Sequence, residues 1–286
     1  MSEATASSRG GSTVPRTAPA TNARLPLFTQ ELRRSRRGHI GWVIGNAAAI
    51  LLYLPFFPSI TAGPDMAEYF NAFPPEVTVL FGLDQLATGA GYTQATYFAL
   101  TGLLLFAIAA VSWGARAIAG DEEDGGLELT LAHGVTRTQV VAERALAVAA
   151  RLVLLALSGA LVIAALDDVS RLSLDLVGLA AASTALVGLA LLIGMAALFA
   201  GAASGRRSTA TAVGAGVAVL AYILDAVSRT ASVPWLGAIS PVRWAFGADP
   251  LTTGFDWGGL ALLFGGAILL LAAAVFVFGR RDVGMQ

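Results

Sequence analysis

The sequence predicts an all-α, polytopic membrane protein with six transmembrane helices. Three observations carry that prediction. Hydrophobic residues fill 56% of the 286 positions and charged residues only 13%, against about 25% charge in an ordinary soluble domain. The apolar residues gather into six runs, each close to the ~20 residues needed to cross about 30 Å of hydrocarbon. The arginines collect on one side of those runs, the asymmetry that orients membrane helices.

Taken in order, residues 1–23 are rich in Ser, Thr, Ala, Gly and Pro. They lack the apolar content for a core and read as a disordered tail. The first apolar run starts near Ile40, too far in for a secretory signal peptide. Residues 24–286 read as one transmembrane domain. Leu25, Phe28 and Leu32 share a helical face just before Arg33 and Arg34, which predicts an N-terminal amphipathic helix in the membrane interface. The spans are expected at about 40–57, 94–118, 145–165, 176–202, 209–228 and 258–279. In the last of these, the Leu, Ile, Val and Phe side chains favour insertion by roughly 4–7 kcal/mol. Between spans five and six, Pro234, Trp235, Pro241, Trp244, Pro250 and Trp257 punctuate pieces too short to cross. They read as short extracellular half-helices before the last span, or as an external loop with aromatic anchors at headgroup level.

Orientation follows from arginine placement. Arg33, Arg34, Arg36 and Arg37 precede span one. Arg116, Arg137 and Arg144 surround the connection after span two. Arg206 and Arg207 separate spans four and five, and Arg280 and Arg281 follow span six. The other side has Arg171, Arg229 and Arg243, and the loop from Pro58 to Thr93 carries Asp65, Glu68, Glu76 and Asp84 without any arginine. Both termini are therefore expected in the cytoplasm of a multi-pass plasma-membrane protein.

Composition also excludes functions. The chain contains no Lys, and the phosphate loop of P-loop ATPases needs one to reach the β- and γ-phosphates. The chain is thus not expected to be an ATPase by itself. It has no Cys, which removes thiol catalysis and Cys-ligated metals. Its two histidines, His39 and His133, lie far apart. No catalytic residue, no metal and no cofactor in this chain are expected, and no nucleic-acid partner.

The segment 120–144 is the most informative. Asp121, Glu122, Glu123 and Asp124 run into Gly125 and Gly126, after which Leu127, Leu129 and Leu131 alternate with Glu128 and Thr130. Gly134 breaks the chain, and Thr136-x-x-Gln139 fits a capping box that starts a new helix. An ordered, charged, amphipathic cytoplasmic turn suits contact with a soluble partner; a solvated loop ending in a helix cap is the plainer alternative.

This arrangement resembles the permease subunits of type-2 ATP-binding cassette (ABC) exporters. Those commonly end span two in an acidic pair, a glycine and an apolar-acidic run of the form EE-x-G-x-LELLL-x-x-P-x-x-R. Glu122-Glu123-Asp124-Gly125-Gly126-Leu127-Glu128-Leu129-Thr130-Leu131 and Val135-Thr136-Arg137 are similar, with Gly134 where the family has proline. Ile239-Ser240-Pro241-Val242-Arg243-Trp244 resembles the family's SP segment, and Phe278-Gly279-Arg280-Arg281-Asp282-Val283 its terminal motif. The resemblance spans about residues 24–284. It implies that two permease subunits, identical or related, pair with two cytoplasmic ABC ATPase subunits that hold ATP and Mg. It implies partner ATPase contacts for Glu122, Glu123, Gly125, Leu127, Glu128, Thr136 and Arg137, and an amphiphilic substrate such as a drug, antibiotic or lipid.

Polar groups within the spans are few. Arg151 is expected to snorkel along span three to the interface, with a substrate or intersubunit contact as the sharper option. Asp225 and Arg229, four apart, should pair. Asn46 should find an interhelical partner. Gly41-x-x-x-Gly45 and the small residues of span five, among them Gly214, suggest a subunit interface built from spans one and five. An ion-gradient-driven secondary transporter would need ionisable residues near mid-membrane, and a membrane enzyme would need His, Cys or clustered acids at that depth; the spans offer almost none. A non-transporting membrane assembly factor on the same scaffold stays open beside them.

Overall fold

The computed structural model describes residues 25–61, 88–127, 130, 134–231 and 233–281. The predicted N-terminal tail and the acidic loop residues Asp65, Glu68, Glu76 and Asp84 lie outside that set, as do Glu128, Leu129, Leu131, His133, Asp282 and Val283. In chain order the main helices are α1 (Pro26–Tyr53), continued by a 3-10 turn at Leu54–Phe56 and a short helix at Phe57–Thr61, then α2 (Gly89–Glu123), α3 (Arg137–Leu166), α4 (Leu176–Ser204), α5 (Arg207–Thr230), α6 (Pro234–Ala238), α7 (Pro241–Phe246), α8 (Pro250–Thr253) and α9 (Trp257–Arg280). Six of them, α1 to α5 and α9, are long and apolar enough to cross a membrane. The chain is a multi-pass, all-helical membrane protein.

The amphipathic N-terminal segment is helical and forms the first turns of α1, running into the first span without a break. At 28 residues, α1 is about 42 Å long, longer than the hydrocarbon is thick. The ends of α2 and α3 overshoot their apolar runs in the same way. The three short helices before α9 each open on a proline in the first turn, where a missing N–H costs nothing. Val242, Phe246 and Leu251 are buried, and Ser240 donates its hydroxyl to the Ala221 carbonyl of α5 at 2.8 Å.

Helix α4 is the centre of the bundle and packs against α2, α3, α5 and α9. Small residues permit that. A Cβ on Gly114 of α2 would overlap the Gly194 carbonyl of α4, and one on Gly188 would lie 3.2 Å from Leu263 and Phe264 of α9. Helix α2 is not uniform: π-helical stretches at Gln94–Thr101 and Arg116–Gly120 flank an α-helical middle at Gly102–Ala115.

Within the bundle, the Tyr97 hydroxyl donates to Asn46 Oδ1 at 2.9 Å, the interhelical bond expected of Asn46. Arg229 pairs with Asp225 at 2.7 Å. Gly214 departs from the sequence expectation. A Cβ there would sit 2.8 Å from the Ala197 Cβ and 3.1 Å from Val111, so Gly214 serves the packing of α5 onto α4 and α2 inside the subunit. Gly41, Gly45 and Gly216 border open space instead.

Candidate functional site: the connection between α2 and α3

The arginine-rich end of the bundle is organised by the end of α2 and the start of α3. The chain leaves α2 at Glu123 and turns at Gly125, whose φ of +71° suits glycine. Leu127 is buried and anchors the turn. Gly134, at φ +81°, makes the second turn. Thr136 then caps α3: its hydroxyl accepts from the Gln139 N–H at 3.2 Å. Only half of the expected capping box forms, because the Gln139 amide donates to Glu143 Oε1 at 2.7 Å rather than turning back.

From this connection, side chains reach the ends of the other helices. Glu143 Oε2 accepts the N–H groups of Leu27 and Phe28 at 2.8 and 3.0 Å, so a buried carboxylate of α3 caps α1. This is why α1 has no capping side chain of its own, and the helix dipole favours a negative charge there. Glu123 Oε1 accepts the Arg207 N–H at 2.8 Å and does the same for α5. Glu122 pairs with Arg281, just past α9. Arg281 also donates to the Ala202 carbonyl of α4 at 2.9 Å. Arg137 donates to the carbonyls of Arg281 and Phe278 at the end of α9, where a cation complements the exposed carbonyls. The connection thus holds α1, α4, α5 and α9 together.

A second layer lies just below. Arg144 pairs with Glu31 of α1 at 2.5 Å and with Asp121 of α2. Arg34 approaches Asp121 at 4.0 Å. Arg151 does not snorkel. It is buried, with its guanidinium carbon 3.8 Å from the Trp113 ring centroid and Nη1 3.8 Å from Glu31 Oε1. An aromatic face and a carboxylate beyond hydrogen-bond distance offset part of the charge inside the bundle.

Of the residues singled out in sequence, Glu122, Glu123 and Arg137 are drawn together by these internal clamps. Leu127 is buried beneath them. Gly125 and Thr136 are exposed at the surface of the turn, and Glu128 lies outside the described residues. Sequence reasoning missed Glu31, Asp121, Glu143, Arg144 and Arg281 as members of one network. Their only sequence signal is charge at helix ends.

A family profile described as "ABC-2 family transporter protein" matches residues 25–283. No curated protein matches the chain.

Proposed function

The chain belongs to the ABC-2 transporter family, and from that premise we propose that it is the transmembrane subunit of an ATP-driven exporter, worked by a separate ABC ATPase docked on the α2–α3 connection. One observation carries this reading: the end of α2 and the start of α3 are bonded to the ends of α1, α5 and α9, and through Arg281 to the end of α4. A force applied there by a partner moves all of those ends together.

The roles divide by bonding, since Glu123 is exposed like its neighbour Asp124 but is bonded to the start of α5. Gly125 and Thr136, with the neighbouring Asp124 and Thr138, offer the accessible surface for an ATPase. Glu122, Glu123 and Arg137 pass its motion inward, and Leu127 keeps the turn from yielding; Glu128 completes the contact surface. ATP and Mg belong to the partner, since this chain has no lysine for a phosphate loop. Two ATPases and a second permease subunit, identical or related, complete the assembly. The arginine-rich end with both termini faces the cytoplasm of a plasma membrane, and the transported substrate is amphiphilic, such as a drug, an antibiotic or a lipid.

Gentle purification of the tagged chain from its native membrane, followed by mass spectrometry, tests this. A stoichiometric ABC ATPase is expected. Its absence across several mild detergents, with the chain still folded, would rule the reading out.

A further inference from the structure

Between α1, α2 and α3, under the clamps, lies a cavity of about 340 Å³ walled in part by Trp42, Trp113 and Ser35. Arg144 and Arg151 line it, at 9% and 8% exposure. Arg144 spends its terminal nitrogens on Glu31 and Asp121. Arg151 makes no hydrogen bond among the described residues; its nearest carboxylate oxygen is 3.8 Å away. Among the described residues, the Nε groups of both arginines and the Ser35 hydroxyl lack partners. A guanidinium carries five N–H donors, and burying them without acceptors is unfavourable.

The charge count points the same way. Five arginines line the cavity, with Arg34, Arg116 and Arg207 exposed at its lip, against four carboxylates. Three of the four are engaged: Glu31 and Asp121 by Arg144, and Glu123 by the Arg207 N–H. What the site lacks is an acceptor with several oxygens, and the planar guanidinium fork matches a phosphate. The volume is at the small end of ligand pockets and suits a headgroup without its acyl chains. The cavity reaches below the membrane boundary. Arg151 lies about 21 Å along α3 from Arg137, while α3, at 30 residues, exceeds the hydrocarbon by about 15 Å, so Arg151 sits at least about 6 Å inside, a depth a phosphate reaches by entering the cavity.

We propose that this cavity binds the phosphate of an anionic lipid headgroup, with Arg151 and Ser35 as ligands and Trp113 backing the guanidinium. The inference goes beyond the exporter reading and stands whether or not an ATPase docks at the connection above.

The full-length chain in a neutral-headgroup detergent is titrated with dihexanoyl phosphatidic acid, dihexanoyl phosphatidylcholine or sodium phosphate, following tryptophan fluorescence. Saturable binding of phosphatidic acid is expected, with phosphatidylcholine weaker. Arg151→Gln should weaken it by about tenfold or more. Gly38→Leu should do the same by filling the space, since Gly38 lines the cavity and a Cβ there meets nothing within 4 Å. Should Arg151→Gln fail to fold, Gly38→Leu decides, because it leaves the charges in place. Sodium phosphate binding as tightly as phosphatidic acid would uphold the phosphate site and overturn the lipid source. No binding by the wild type, or binding that both variants leave unchanged, would overturn the proposal.

Discussion

The carboxylate of Glu122, at the end of α2, is held by the guanidinium of Arg281, the residue after α9. The same guanidinium reaches the Ala202 carbonyl near the end of α4, so one ion pair fastens three helices. Gly205 leaves room for it: a Cβ there would lie 2.7 Å from Glu122 Oε1. Both side chains are about one-fifth exposed, so solvent screens the pair only in part. A double-mutant cycle with Glu122→Gln and Arg281→Gln should give a coupling energy of about 1–2 kcal/mol in thermal unfolding of the purified chain. Additive effects would mean that the pair contributes nothing to the clamp.

The capping of α1 by Glu143 gives a sharper effect. Glu143→Ala removes the acceptor for two backbone N–H groups, the Leu27 one buried and the Phe28 one partly so, at a cost of about 1–3 kcal/mol. Amide exchange at Leu27 and Phe28 should accelerate while the middle of α1 stays protected. Glu143→Gln keeps an acceptor oxygen and should lose less. Equal exchange in all three proteins would refute the cap.

Glycines separate packing inside the subunit from packing outside it. Gly114→Val pushes a side chain into the α4 backbone and should cost about 3 kcal/mol or more. Gly214→Leu should likewise impair folding of the single subunit. Gly216→Val enters open space and should stay within about 0.5 kcal/mol of wild type. If Gly214→Leu yields a stable monomer that has only lost its partner, the inward placement of Gly214 is wrong.

Topology is directly testable because the chain has no cysteine. Thr138 and Thr252 are exposed at opposite ends. In intact cells, Thr252→Cys should react with a membrane-impermeant maleimide and Thr138→Cys should react only after lysis. The reverse pattern would invert the orientation.

The six spans were legible because hydropathy is local: twenty apolar residues carry their own evidence. The half-helices were legible from Pro and Trp spacing, and the turn at Gly125 and the Thr136 cap from residue type. The helical ends of α1 and α3 were legible too, from the amphipathic segment and the cap, but the ion pairs that join them to the end of α2 were not. Their charges look like solvated termini until Glu31, Asp121 and Arg144 are seen to neutralise one another across three helices. Arg151 misled for the same reason, since Trp113 is 38 positions away and nothing local announces the stacking. Gly214 sits among small residues on more than one face of α5, and composition alone does not say which face turns inward. The connection stood out in sequence by its charge, but Glu122, Glu123 and Arg137 reach helix ends about 84 to 159 positions away, which no spacing rule foresees.

The central claim is that an ATPase docks on the α2–α3 connection, and site-specific photo-crosslinking tests it most directly. A photoreactive phenylalanine analogue at Asp124 or Thr138, in the native membrane, should capture the ABC ATPase, while the same group at Thr252 should not. Capture from Thr252 alone, or from none of these positions when the ATPase copurifies, would contradict it.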